Sequence, residues 1–182
     1  MADKEITRTS TRIAYQNRWM TVREDEVVRA NGSAGIFGVA EKPDFAVVAA
    51  VDNGHICLVK QYRYPAQGRF WELPQGSWEQ DTLDPLLLAR AELEEETGIV
   101  ARSMIHAGHL FLAYGFSTQG YDVFFASDLE YGAPKLDMEE HGLIARRFKI
   151  AGNHPESTAA MPCAAGTCSG CPNGIDPGSR SG

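Results

Sequence analysis

Apolar residues fall along this chain in short runs separated by polar turns, the pattern of a strand-rich domain. Trp19-Met-Thr-Val-Arg-Glu-Asp-Glu-Val-Val alternates in places and stops at Asn31-Gly32, a turn signal. Gly35-Ile-Phe-Gly-Val-Ala predicts a second strand. Phe45-Ala-Val-Val-Ala-Ala-Val is continuously apolar, which predicts a strand covered on both faces. Asn53-Gly54 predicts a two-residue hairpin turn, with the return strand over Ile56–Tyr64. Two further strands are expected at Tyr121–Ser127 and Leu143–Phe148.

One helix interrupts the strands. Asp84 is a good N-cap, Pro85 suits the first helical position, and Gly98 fits the left-handed residue that ends a helix. Between them lie strong helix formers, so the pattern predicts a helix over 85–97. Strands, a helix, then strands again predict an α/β layered domain.

The composition breaks near residue 149. From Ala151 onward the chain is rich in Gly, Pro, Ser and Ala, and Met161 and Ile175 are its only large aliphatic residues. Such a segment buries too little surface to offset its ordering entropy, so 149–182 is expected to be a disordered tail. Residues 1–11 are expected to be a flexible N-terminus, and 12–148 the folded domain. Cys163, Cys168 and Cys171 lie in the tail in a spacing that resembles part of a ferredoxin cluster site, and His154 could complete a zinc site instead. Cys57 sits alone in an apolar run and reads as a buried small residue.

The formal net charge of −7 over 182 residues makes duplex nucleic acid an unexpected partner and means that an anionic substrate needs a local cation. No run approaches the roughly 20 apolar residues of a membrane span, and the first residues are polar, so the expected compartment is the cytoplasm.

The predicted helix places Glu92, Glu95 and Glu96 at i, i+3 and i+4, three carboxylates on one face. Taken alone, this is either a solvated acidic surface or a site for a hard divalent cation such as Mg²⁺, which bridges carboxylates to substrate phosphates. Upstream, Glu72-Leu-Pro-Gln-Gly-Ser-Trp-Glu feeds a Gly- and Pro-containing turn toward that helix.

Together these residues resemble the Nudix hydrolases, whose signature runs Gly, five residues, Glu, seven residues, Arg-Glu, an aliphatic, any residue, Glu-Glu, any residue, Gly, an aliphatic. Gly76 matches the opening glycine, and Glu92-Leu-Glu-Glu-Glu-Thr-Gly-Ile99 matches the close. Gln61-Tyr-Arg-Tyr-Pro and Trp71-Glu-Leu-Pro look like the ADP-ribose and nucleotide-sugar pyrophosphatase branch. The resemblance implies an α/β/α sandwich with a mixed sheet, preceded by an N-terminal antiparallel β region over 12–41 that would serve as a dimerisation element.

It also implies metal-assisted attack of water on a diphosphate bond, with Mg²⁺ or Mn²⁺ held by Glu92, Glu95, Glu96 and the Gln75 carbonyl. Glu95, Glu96 and a later acid (Glu140, with Asp137 and Glu139 as alternatives) would serve the chemistry. Arg63 is the expected phosphate clamp, and Trp71 and Tyr114 are expected to touch the substrate. Tyr114-Gly115 stands where ADP-ribose members often carry Pro-Gly. Dinucleoside polyphosphates or NADH, or a nucleotide-sensing module with weakened turnover, are the alternative functions.

The match departs from the family at two points. Thr82 takes the place of the loop glutamate, with Glu79 as a stand-in. The stretch from Gly76 to Gly98 is one residue longer than the signature. Either the loop holds the extra residue and Ala91 occupies the arginine position, or the helix absorbs an insertion after Arg90. In the family that arginine orients a metal-binding glutamate, so Ala91 implies weakened chemistry. Arg90 is also placed to pair with Glu94 at i+4.

Overall fold

The computed structural model describes residues 5–77, 84–136 and 142–151. All elements belong to the first of the two units into which the chain divides, Met1–Ile150. Glu79, Thr82, Asp137, Glu139, Glu140, His154 and the three tail cysteines lie outside the described residues.

Three strands come first: β1 (Ile6–Gln16), β2 (Thr21–Arg29) and β3 (Ala34–Glu41), an antiparallel meander. Ile6–Thr11, expected in the flexible terminus, instead pair with Asp25–Arg29 of β2. Few large apolar residues mark β1. Polar contacts to β2 hold it, among them Thr11 Oγ1 to Asp25 Oδ1 at 2.6 Å and Arg12 Nε to Glu24 Oε1 at 3.0 Å. Asp25 is buried in this small sheet, where Arg23 also pairs with it.

The second sheet is mixed. β4 (Phe45–Asp52) and β5 (His55–Arg63) form the predicted hairpin, turning through Asn53 (φ 48°) and Gly54 (φ 69°), both left-handed as a type I′ turn requires. A 3₁₀ turn at Tyr64–Ala66 leads to β6 (Gly68–Glu72) on β5 and the short β7 (Gln75–Gly76) on β4. After the helix α1 (Pro85–Thr97) come β8 (Ile99–Phe111), β9 (Gly120–Tyr131) and β10 (Ile144–Lys149). The order is β10-β5-β4-β9-β8, with β4 and β9 parallel. Ala46 through Ala50 are all buried, as the apolar run at β4 predicts.

Helix α1 has the predicted ends. Asp84 Oδ1 accepts from the Leu86 N–H at 2.9 Å, and the Gly98 N–H donates to the Glu94 carbonyl at 2.8 Å. The helix lays Leu88, Ala89 and Leu93 on Ala46, Val48, Ala50, Phe124 and Ala126, which form the core. Burying each large aliphatic side chain there stabilises by about 1.5–3 kcal/mol. Among the described residues, α1 is the only α-helix on the sheet.

Gly98 is required twice over. Its φ is +72°, and a Cβ there would press on the backbone of Gly132 and Ala133. Gly98→Ala is therefore expected to lower the unfolding free energy by about 2–4 kcal/mol, summing left-handed strain and overpacking. Urea denaturation monitored by circular dichroism measures this, and a loss below half of the lower figure contradicts it.

Candidate active site

The faces of α1 and the short strand β7 meet at Glu92 and Glu96. One helical turn apart, both carboxylates are directed at consecutive residues of β7. The Gln75 N–H donates to Glu96 Oε2 at 3.0 Å, and Glu96 is only 2% exposed. A Cβ built on Gly76 would fall well inside contact with both carboxylate oxygens of Glu92. Glycine at 76 thus makes the space that Glu92 fills. Glu95, at the third position of the predicted face, is exposed, and its backbone carbonyl accepts from the Lys135 N–H at 2.8 Å. The Lys135 ammonium lies 2.6 Å from Glu94 Oε1, and this bond, ahead of the general attraction to Glu94, raises the lysine pKa.

α1 is regular α-helix from Pro85 to Thr97. An inserted residue within it would show as a bulge. A helix without a bulge favours the alternative in which the extra residue precedes it and Ala91 stands at the arginine position. Arg90 does not pair with Glu94. Its Nη1 donates to the Ala101 carbonyl of β8 at 2.6 Å and ties the helix to the far side of the sheet. In place of a guanidinium, the Gln75 N–H orients Glu96.

A cleft of about 310 Å³ opens beside β7, lined by Lys42, Phe45, Arg63, Glu72, Gln75, Gly76, Ser77, Leu112 and Gln119. Arg63 reaches it, but Glu72 takes up its fork: Nε lies 3.0 Å and Nη2 2.9 Å from Glu72 Oε1. The other oxygen of Glu72 accepts from Gln75 Nε2 at 2.9 Å. The fork expected to clamp phosphate is thus engaged by Glu72, which fixes the guanidinium at the cleft. Trp71 does not line the cleft. As the neighbour of Glu72 on a strand it points to the opposite face, where its ring meets Phe148 edge-on at 4.7 Å. Tyr114 is 87% exposed and also outside the lining, to which its loop contributes Leu112.

The sequence reading missed Lys42, Phe45 and Gln119. They cluster because parallel β4 and β9 start at the same end, and Phe45 stacks on Tyr121 at 5.0 Å. The usable signal was Lys42-Pro-Asp, a polar stop just ahead of a buried strand.

The donors fit a hard divalent ion: carboxylates in a cradle that a single methyl group would fill. Among the described residues, no three His, Cys, Asp or Glu side chains converge into a complete cage. Glu92 and Glu96 would thus leave positions to carbonyl, water and phosphate oxygens, as Mg²⁺ usually requires. Cys57 plays no part: burial, opposed by Arg147, raises its thiol pKa. No helix among the described residues is long and apolar enough to cross a membrane.

Comparison with known proteins agrees with this geometry. Residues 6–40 match the nucleoside diphosphate sugar hydrolase N-terminal domain, and residues 41–158 match the NUDIX domain. An ADP-ribose pyrophosphatase of Mycobacterium tuberculosis is 33% identical over 153 residues, covering 83% of this chain and 74% of that protein. An ADP-ribose pyrophosphatase of Bacillus subtilis is 32% identical, covering 66% of this chain and 65% of that protein. A methanol dehydrogenase activator of Bacillus methanolicus is 30% identical over 69% of each. The fold is shared with the crystal structure of an ADP compounds hydrolase, at a TM-score of 0.72 and 18% identity, over 81% of this chain and 80% of that one. With the domain match spanning more than half of its length, this chain belongs to the Nudix hydrolase family.

Proposed function

We propose that the chain hydrolyses the diphosphate bond of a nucleoside diphosphate linked to a sugar-like moiety, ADP-ribose first among them, with Mg²⁺ or Mn²⁺. The observation that carries this reading is the seating of Glu92 and Glu96 against β7, beside a cleft that also presents Lys42 and Arg63. Both relatives named as ADP-ribose pyrophosphatases support the substrate class.

When bound, the metal would lower the pKa of a water molecule and offset charge on the diphosphate oxygens. Glu92, Glu96 and the Gln75 carbonyl would hold it, with Glu95 beside them. Glu72 holds Arg63 in place before substrate arrives, so no ordering of that side chain is needed at binding. Lys42 adds the second positive charge on the rim. The test is release of AMP from ADP-ribose with and without Mg²⁺. Metal-dependent AMP supports the proposal, and saturable binding without product favours the sensing module.

Ala91→Arg restores a guanidinium at the position the family uses. It is expected to raise kcat/KM for ADP-ribose about tenfold, the low end of such orienting contacts. An unchanged rate would mean that the Gln75 N–H already does this work.

We read the first sheet as the dimer element. Ile13 and Tyr15 of β1, Trp19 in the turn between β1 and β2, and Ile36 of β3 are all exposed. Exposed apolar groups of this size mark contact surfaces. Gel filtration is expected to show twice the 19.9 kDa chain mass, and elution as a monomer contradicts it.

A further inference from the structure

Among the described residues that line the active-site cleft, Lys42 and Arg63 are the cations and Glu72 is the carboxylate. A fixed negative charge beside a diphosphate opposes its binding. Glu72 is nonetheless held there firmly. Its Oε1 accepts from Arg63 Nε at 3.0 Å and from Nη2 at 2.9 Å, and its Oε2 accepts from Gln75 Nε2 at 2.9 Å. The side chain of Glu72 is 19% exposed, that of Arg63 41%.

The backbone under this contact is fixed as well. Val59 is paired with Glu72 and Arg63 with Gly68, so the guanidinium reaches Glu72 along the strands, on the face both side chains share. Pro74, between Glu72 and Gln75, is fully buried, and its carbonyl accepts the Val48 N–H at 2.9 Å. Gln75 in turn donates its backbone N–H to Glu96. One line of hydrogen bonds therefore runs Arg63, Glu72, Gln75, Glu96, from the phosphate side of the site to the metal side.

Glu72 has two effects of opposite sign on a bound diphosphate. Holding Arg63 in place removes an ordering cost at binding. The same carboxylate takes the paired Nε and Nη2 donors, an edge that matches phosphate bidentately, and adds a repelling charge. Hydrogen bonds between charged groups are worth more than the immobilisation of one side chain, so the second effect is the larger.

We propose that Glu72 is a positioning residue that holds Arg63 off a full grip on the diphosphate, so that nucleoside diphosphates stay weakly bound. The inference takes its substrate class from the proposed function and adds the direction in which Glu72 acts. Binding that is equal in ground state and transition state does not speed the chemical step, and a ligand held too tightly leaves slowly. Glu72 spares the site that loss.

The test is calorimetric binding of ADP in EDTA, followed by turnover of ADP-ribose with Mg²⁺. Glu72→Gln keeps the shape, removes the charge and turns one terminal atom into a donor facing the donors of Arg63 and Gln75. Glu72→Ala clears those donors outright. Both are expected to tighten ADP about tenfold, the worth of a hydrogen bond to a charged group. Both should also lower kcat and KM for ADP-ribose together, leaving kcat/KM within about threefold, the signature of a lost constraint on the ground state. A residue that only supports the fold would instead weaken ADP and lower kcat/KM. Adding Arg63→Ala to Glu72→Gln should abolish the gain, because Arg63 is the group released. ADP affinity that is unchanged or lower in both variants overturns the inference, as does a gain that survives Arg63→Ala. Failure of the unmodified chain to release AMP from ADP-ribose defeats the functional proposal alone, since the ADP measurement needs no turnover and still decides on Glu72.

Discussion

Glu96→Gln is expected to lower kcat for ADP-ribose hydrolysis by about a thousandfold while leaving the protein at least as stable. The two effects separate because the substitution keeps shape and removes charge. Glu96 is almost fully buried and accepts a backbone N–H from β7, a bond that the glutamine carbonyl oxygen can still accept. What is lost is an anionic ligand. Metal ions supply several kcal/mol of charge stabilisation in such transition states, and about 4 kcal/mol corresponds to the stated factor at 1.36 kcal/mol per tenfold. In the metal-free protein the sign reverses, since a buried carboxylate carries a desolvation cost that a neutral amide does not. Added Mg²⁺ should therefore raise the melting temperature of the unmodified chain and not of the variant. Turnover within tenfold of the unmodified enzyme would remove Glu96 from the reaction.

Gly76→Ala is the complementary case, in which a methyl group is added next to the site and no ligand is removed. The new Cβ would meet the end of the Glu92 side chain, which has rotatable bonds and can swing away. The fold should accept the change, with a melting temperature within a few degrees. The displaced carboxylate should lower kcat/KM about a hundredfold, the scale expected of ångström-level misplacement in an active site. Calorimetry should show weaker Mg²⁺ uptake. Gly38→Ala is the matched control: nothing lies within 4 Å of a Cβ there, so activity should not change.

Elements whose signals are local were legible in the sequence. The α1 caps at Asp84 and Gly98 and the Asn53-Gly54 turn depend on neighbours within a few residues, and they occur where the pattern put them. β8 escaped notice because Gly108, at φ 141°, sits in a register shift that breaks the alternation of the strand. β1 escaped because its side chains hold it by polar pairs across to β2 and leave no alternating apolar pattern in its own sequence. The same limit applies at the site. The spacing of Glu92 and Glu96 predicted a shared face, but not that Gly76 shapes the space for one and Gln75 holds the other. The grip of Glu72 on Arg63 and the reach of Arg90 to Ala101 depend on strand pairings that single positions do not encode. The opposite facing of Trp71 and Glu72 was readable from strand alternation once β6 was known.

The wall of the cleft is stitched to the first sheet. The Ala40 N–H donates to the Phe116 carbonyl at 2.8 Å, the Thr118 N–H to the Ala40 carbonyl at 3.0 Å, and Gln119 Nε2 to the Pro43 carbonyl at 2.7 Å. Gln119 lines the cleft, whereas Ala40 belongs to β3. A pull on the outer strands thus travels along a few amides to the substrate's doorstep without crossing the hydrophobic interior. Slowed deuterium uptake at Ala40 and Thr118 on nucleotide binding would be the visible trace of that linkage. It would make the amino-terminal strands a tuning handle for catalysis from outside the catalytic domain.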